Sequence, residues 1–124
     1  MAEGPDIRIL REPIDRRELA RFVGQPFSDM VKYVVDVQRG VVAIGGELHA
    51  DAEQVLLGDG SRQTDLWGAN YYPGRGPDDC IEYTSVINIR PARGNASMLI
   101  DDPTLRDRIK AITLALIGRG EMLT

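Results

Sequence analysis

The sequence predicts an α+β fold: a mainly antiparallel sheet of about five strands, in two hairpins, with about three helices packed largely on one face. Two observations carry this. Alternating segments rich in β-branched and aromatic residues arrive in hairpin pairs joined by short turns, which leaves no room for helical crossovers. Three further segments carry helix start and stop signals, giving the order strand, helix, two strands, helix, two strands, helix. At 124 residues and 43% hydrophobic, the chain is sized for one core and reads as a single globular domain over residues 1–124.

The elements follow in order. Residues 6–11, Asp-Ile-Arg-Ile-Leu-Arg, alternate as a first strand. Asp15 with Glu18 forms an acidic capping box, Ile14 and Leu19 occupy the staple positions, and a helix over 16–23 ends at a left-handed Gly24. Val31, Tyr33, Val35 and Val37 alternate, and Gln38-Arg39-Gly40 turns the chain into a second strand over 41–46. Asp51 caps a short helix through Val55, Leu56 and Leu57, with Gln54 closing the box and Gly58 ending it. Residues 66–72 and 80–90 pair as the second hairpin around Pro73-Gly74-Arg75-Gly76-Pro77. Asp102 as cap, Pro103 at the first helical position, and the stripe Leu105, Ile109, Ile112 and Leu116 mark the last helix, stopped by Gly118.

Composition narrows the function classes. A net charge of −4 argues against a nucleic-acid footprint, and neither Gly58-Asp59-Gly60-Ser61 nor Gly74-Arg75-Gly76-Pro77 fits a phosphate-binding loop. No apolar run reaches the roughly 18 residues of a membrane span. The start Met1-Ala2-Glu3-Gly4-Pro5-Asp6 lacks the order of a signal peptide, so a cytoplasmic location is expected. The single Cys80 follows Asp78 and Asp79, whose charges oppose a thiolate, and it reads as a structural thiol.

The residues with chemical potential fall into two sets. In Gly45-Gly46-Glu47-Leu48-His49-Ala50-Asp51 the only histidine stands among carboxylates, so any histidine chemistry runs through His49. His49 and Glu47 are the candidate acid–base residues, weighed against a histidine simply bonded at a helix start. A metal site is not expected, because one histidine and one shielded cysteine do not supply a tetrahedral set, and no cofactor is implied. The second set is Asn70, Asn88, Arg90 and Asn95. Asparagine is disfavoured in strands, so its presence in two predicted strands asks for a reason. With Asp51, these four are candidate ligand-binding residues, Arg90 suited to clamp an anionic group. On a strand reading of Ile87-Asn88-Ile89-Arg90, the isoleucines face the core while Asn88 and Arg90 share the other face.

The segments Gly45-Gly46-Glu47-Leu48-His49-Ala50-Asp51-Ala52-Glu53, Asp65-Leu66-Trp67-Gly68-Ala69-Asn70-Tyr71-Tyr72-Pro73 and Ile87-Asn88-Ile89-Arg90-Pro91 resemble a family of small prokaryotic proteins catalogued as a domain of unknown function. The resemblance runs from about Met30 to Ile117 and implies no activity, substrate or catalytic residue. Two readings therefore stand. In one, the polar residues build a pocket for a small anionic or polar ligand. In the other, they are structural, and the protein acts by association, with an exposed sheet face or an edge strand forming a homo-oligomer.

Overall fold

A computed structural model describes residues 6–24 and 26–123. The amino-terminal residues 1–5 read above for a targeting signal lie outside them. Five strands form one sheet in the order β1-β3-β2-β4-β5 with every pair antiparallel: β1 (Ile7–Leu10), β2 (Val31–Asp36), β3 (Val41–Gly45), β4 (Leu66–Tyr71) and β5 (Ile81–Glu82). Three helices accompany it: α1 (Arg16–Val23), α2 (His49–Gly58) and α3 (Pro103–Leu116).

The two-residue period of the strands sorts their side chains onto two faces. Val31, Tyr33 and Val35 of β2, Val42 and Ile44 of β3, and Trp67, Ala69 and Tyr71 of β4 join one core cluster with Leu19 and Phe22 of α1 and Ile109 and Leu116 of α3. Inside it the Tyr33 hydroxyl donates to Thr113 Oγ1 at 2.8 Å, because that threonine spends its own proton on the Ile109 carbonyl. The residues between, Val34, Val41, Ala43 and Leu66, pack on Ala52 and Leu56 of α2. Two helices thus share one face and α2 covers the other. The bare sheet face that motivated self-association is absent from the described residues.

Local chemistry accounts for most element ends. Asp15 accepts from the Arg17 amide at 2.7 Å and caps α1, while Asp102 accepts from the amides of Thr104 and Leu105 and caps α3. Three local expectations need correction. Gly24 closes α1 with φ −73, so the helix stops without a left-handed residue. Glu18 does not complete a capping box; it pairs with Arg21 at 3.1 Å and Arg8 at 3.3 Å. Helix α2 begins at His49, and its cap position is Leu48, which offers no side-chain acceptor; Asp51 lies exposed inside the first turn.

Asp51 therefore acts on α2 only through its charge near the helix start, a small effect at an exposed site. Asp51→Asn and Asp51→Ala are expected to cost the same few tenths of a kcal/mol, whereas Asp15→Ala costs about 1 kcal/mol. A urea melt in which Asp51→Ala cost clearly more than Asp51→Asn would restore Asp51 as a cap.

The strand expected over 80–90 is the largest correction. Pairing with β4 stops after Asn70↔Glu82 and Tyr71↔Ile81, and the chain then forms two single 3-10 turns over Val86–Asn88 and Pro91–Arg93. Ser85 starts the first of them by accepting from the Ile87 amide at 3.2 Å. This inverts the expected facing: Asn88 is 0% exposed and Ile89 lies at the surface.

A candidate ligand cavity at the head of helix α2

The corner after β3 rests on Gly45 and Gly46, which take φ +108 and +89. A side chain at Gly45 would run into the Asp6 carbonyl and the Phe22 ring, so only glycine lets the chain leave the sheet here and start α2 at once. His49, first residue of α2, turns its ring inward onto β4, with Nε2 2.8 Å from the Ala69 carbonyl. A carbonyl only accepts, so Nε2 carries the hydrogen and the neutral ring keeps its lone pair on Nδ1.

Gly68 makes this approach possible. A Cβ there would stand 2.7 Å from Ser85 Cβ and 3.1 Å from His49 Cδ2, closer than atoms pack. The missing side chain lets α2 and the Ser85 turn close over β4 together. What they enclose is a half-open cavity of about 410 Å³. Lys32, His49, Asn70, Thr84 and Ser85 give it polar walls, the start of α2 at Leu48 and Ala50 borders it, and Val86, Ile87 and Met98 complete the lining.

Sheet register places three of the polar groups. Lys32, Asn70 and Glu82 are Cα partners across β2, β4 and β5, so they share one face in a row. Asn70 donates to Glu82 Oε1 at 2.8 Å, and the Tyr72 hydroxyl donates to the same oxygen at 3.2 Å. Asn70 is 7% exposed, and its Oδ1 is buried without a hydrogen-bond partner. The Lys32 ammonium lies 5.3 Å from the centre of the Phe27 ring.

Burial pushes the His49 pKa below its ordinary value of 6.5, and the Lys32 charge adds to the depression; the Ala69 carbonyl, the Asn70 side chain and the Glu82 charge pull the other way. The unfolded chain therefore takes up the proton more readily than the folded one. Stability from this residue is complete above about pH 6.5 and is lost as the pH falls through the folded value. The wild-type unfolding free energy should drop more between pH 7 and 5 than that of His49→Gln, in which nothing titrates at this position. Parallel pH profiles for the two proteins would refute the depressed pKa.

The remaining candidates divide. Asn88 spends its amide on backbone: Oδ1 accepts from the Gly68 amide at 2.9 Å, and Nδ2 donates to the carbonyls of Gly68 at 3.0 Å and Met98 at 3.1 Å. Its side chain thus stands in for the ladder partner that β4 lacks once β5 has ended. Asn95 donates to the carbonyls of Asn88, Ser97 and Leu99 and accepts from the Asp101 amide, stitching the 88–101 loop to itself. Arg90 stacks its guanidinium 4.6 Å from the centre of the Trp67 ring, donates through Nε to the Ile87 carbonyl, and approaches Glu53 Oε2 to 3.6 Å. None of these three lines the cavity.

Glu47 is exposed and Asp51 likewise, and neither is among the lining residues. The expected acid–base partnership of Glu47 with His49 has no hydrogen bond or ion pair among the described residues. The structure does unite His49 with Asn70, while Arg90, outside the cavity, meets Glu53 one helical turn beyond His49. Sequence reasoning missed Glu53, Lys32 and Ser85. The spacing of His49 and Glu53, four residues apart on α2, is the one signal that pointed to a shared inward face.

Cys80 is buried, and burial raises its thiol pKa. Among the described residues, no three of His, Cys, Asp and Glu come together as a metal set, and no helix is long and apolar enough to cross a membrane. A second cleft of about 270 Å³ near the start of α3 contains Arg93 and Arg108, but each already donates to a backbone carbonyl, of Thr64 and Val37 respectively.

No curated protein and no solved structure matches the chain. One family model matches residues 8–116, from the second residue of β1 to the last residue of α3. The chain belongs to that family, described as "Protein of unknown function (DUF5674)".

Proposed function

We propose that the protein binds a small polar ligand in the cavity between the head of α2, the centre of β4 and the Ser85 turn. The observation that carries this reading is the pairing of a buried, neutral His49 with a buried Asn70 whose Oδ1 lacks a partner, both lining a space of about 410 Å³. Buried polar atoms are nearly always hydrogen-bonded, and an exception beside a cavity of ligand size is best completed by a ligand or water. A reducing compartment such as the cytoplasm suits the unpaired Cys80.

The test is a thermal-shift panel of amino acids, hydroxy acids, sugars, nucleosides and phosphates on the wild type and on Ala50→Trp. Ala50 is exposed and borders the cavity, so tryptophan there obstructs the mouth while leaving the core alone. Compounds that raise the wild-type Tm but not that of Ala50→Trp support the reading. Equal shifts in both proteins, or no shift in either, would overturn it.

A second reading is favoured by a separate observation. Leu48, Val86 and Met98 at the cavity, with Ile89 and Leu99 in the same loop region, are exposed apolar side chains, Val86 to 70%. Burial against a second copy would account for them. Light scattering decides it: a dimer converted to a 13.7 kDa monomer by Val86→Lys supports association through this rim, and a wild-type monomer excludes it.

A further inference from the structure

The geometry points to a definite ligand class for this cavity, an inference that rests on the binding reading above: a small carboxylate bearing a hydroxyl or ammonium donor on the adjacent carbon, with an apolar tail.

The carboxylate end follows from what the walls offer an anion. Helix α2 has ten residues and starts without a side-chain cap. Among the described residues, the amides of His49 and Ala50 make no hydrogen bond, and both residues line the cavity. Unpaired amides at a helix start, reinforced by the aligned peptide dipoles, favour negative charge. Among the described residues, Lys32 is the only charged one in the lining; no Asp, Glu or Arg joins it, although the chain carries a net charge of −4. Glu82 stands behind Asn70 with Oε1 occupied by Asn70 and Tyr72, and Glu47 and Asp51 flank the helix start outside the cavity. Two amides and one ammonium, with no arginine fork, fit the two oxygens of a carboxylate better than the three of a phosphate.

The donor follows from the opposite requirement. Asn70 leaves Oδ1 without a partner, and the neutral His49 ring leaves Nδ1 as a lone pair. Both are acceptors, so a carboxylate alone leaves them unanswered, while a hydroxyl one carbon away donates to one of them and an ammonium there can donate to both. Leu48, Val86 and Met98 complete the lining on the apolar side and suit a tail of hydrocarbon or ring.

The experiment titrates three compounds into the full chain, following the ring signals of the sole histidine by NMR and the affinity by calorimetry. The probes are 3-phenyllactate, 3-phenylpropionate, which lacks the hydroxyl, and 3-phenyllactamide, which lacks the charge. Phenyllactate is expected to bind about tenfold or more tighter than either analogue, each having lost one charge-assisted or buried hydrogen bond. Lys32→Gln should bring phenyllactate to the level of the amide. If all three move the His49 signals with equal affinity, this ligand class is overturned while cavity binding stands. If none moves them, this ligand class is overturned, while the binding reading is decided separately by the thermal-shift panel.

Discussion

Asn88→Ala is expected to lower the unfolding free energy by about 3 kcal/mol or more, with a fall in Tm of roughly 10 °C. The substitution removes three hydrogen bonds and strands the amide and carbonyl of Gly68 where water does not reach them. Each buried backbone group left unpaired costs about 1–3 kcal/mol, more than the net gain of the bond itself. Asn88→Asp should be no better. A carboxylate can still accept from the Gly68 amide, but it cannot donate to the carbonyls of Gly68 and Met98, and it places a charge at a site with 0% exposure. Urea melts of the three proteins check this. An Asn88→Asp protein as stable as wild type would show that the side-chain substitute for a strand is not what holds the edge of β4.

The second large effect is expected at the Glu53 and Arg90 pair. Both side chains are nearly buried, their closest approach is 3.6 Å, and Glu53 Oε2 and both terminal nitrogens of Arg90 lack hydrogen bonds. Burial lowers the Arg90 pKa while the Glu53 charge raises it, the balance of a cation kept partly dry by one carboxylate. Glu53→Leu leaves the guanidinium uncompensated and should cost about 3 kcal/mol. Adding Arg90→Met removes that unpaired charge, so the double variant should regain part of the loss despite losing the bond to Ile87 and the stack on Trp67. The double-mutant cycle decides it: strictly additive losses would mean that the pair does not interact.

Whether the chain revealed an element depended on how local its cause was. The β2 and β3 hairpin was legible because the alternation of Val31, Tyr33 and Val35 reports directly on burial of one face. Helices α1 and α3 were legible because Asp15 and Asp102 with Pro103 cap within a single turn of chain. The start of α2 was not, since Asp51 is a good cap by type while the actual boundary is set by the chain reversal at Gly45 and Gly46. Strand β5 was overextended for a related reason. Residues 81–90 alternate well, yet a serine cap and an asparagine side chain replace the ladder after Glu82. The asparagines did signal something real, but at Asn88 and Asn95 the reason is backbone satisfaction within a loop.

The candidate site shows the same division. His49 was visible because the chain has no other histidine, and Asn70 because an amide in an apolar strand is unusual. Lys32 and Ser85 were invisible, because they reach the cavity only through the pairing of β2 with β4 and the turn after β5. Glu53 was hidden because its partner lies 37 positions further on, in a segment whose alternation predicts a strand.

The central claim is that His49 sits at the floor of a ligand cavity as a neutral ring, anchored through Nε2 and offering Nδ1. Long-range nitrogen-15 NMR of the imidazole tests it most directly, since a single histidine gives an unambiguous signal. The account predicts one tautomer near pH 7.5, protonated on Nε2, with a pKa below 6.5 and an Nδ1 resonance that moves when the cavity is filled. A ring protonated on Nδ1, or an averaged mixture of both tautomers with an ordinary pKa, would contradict it.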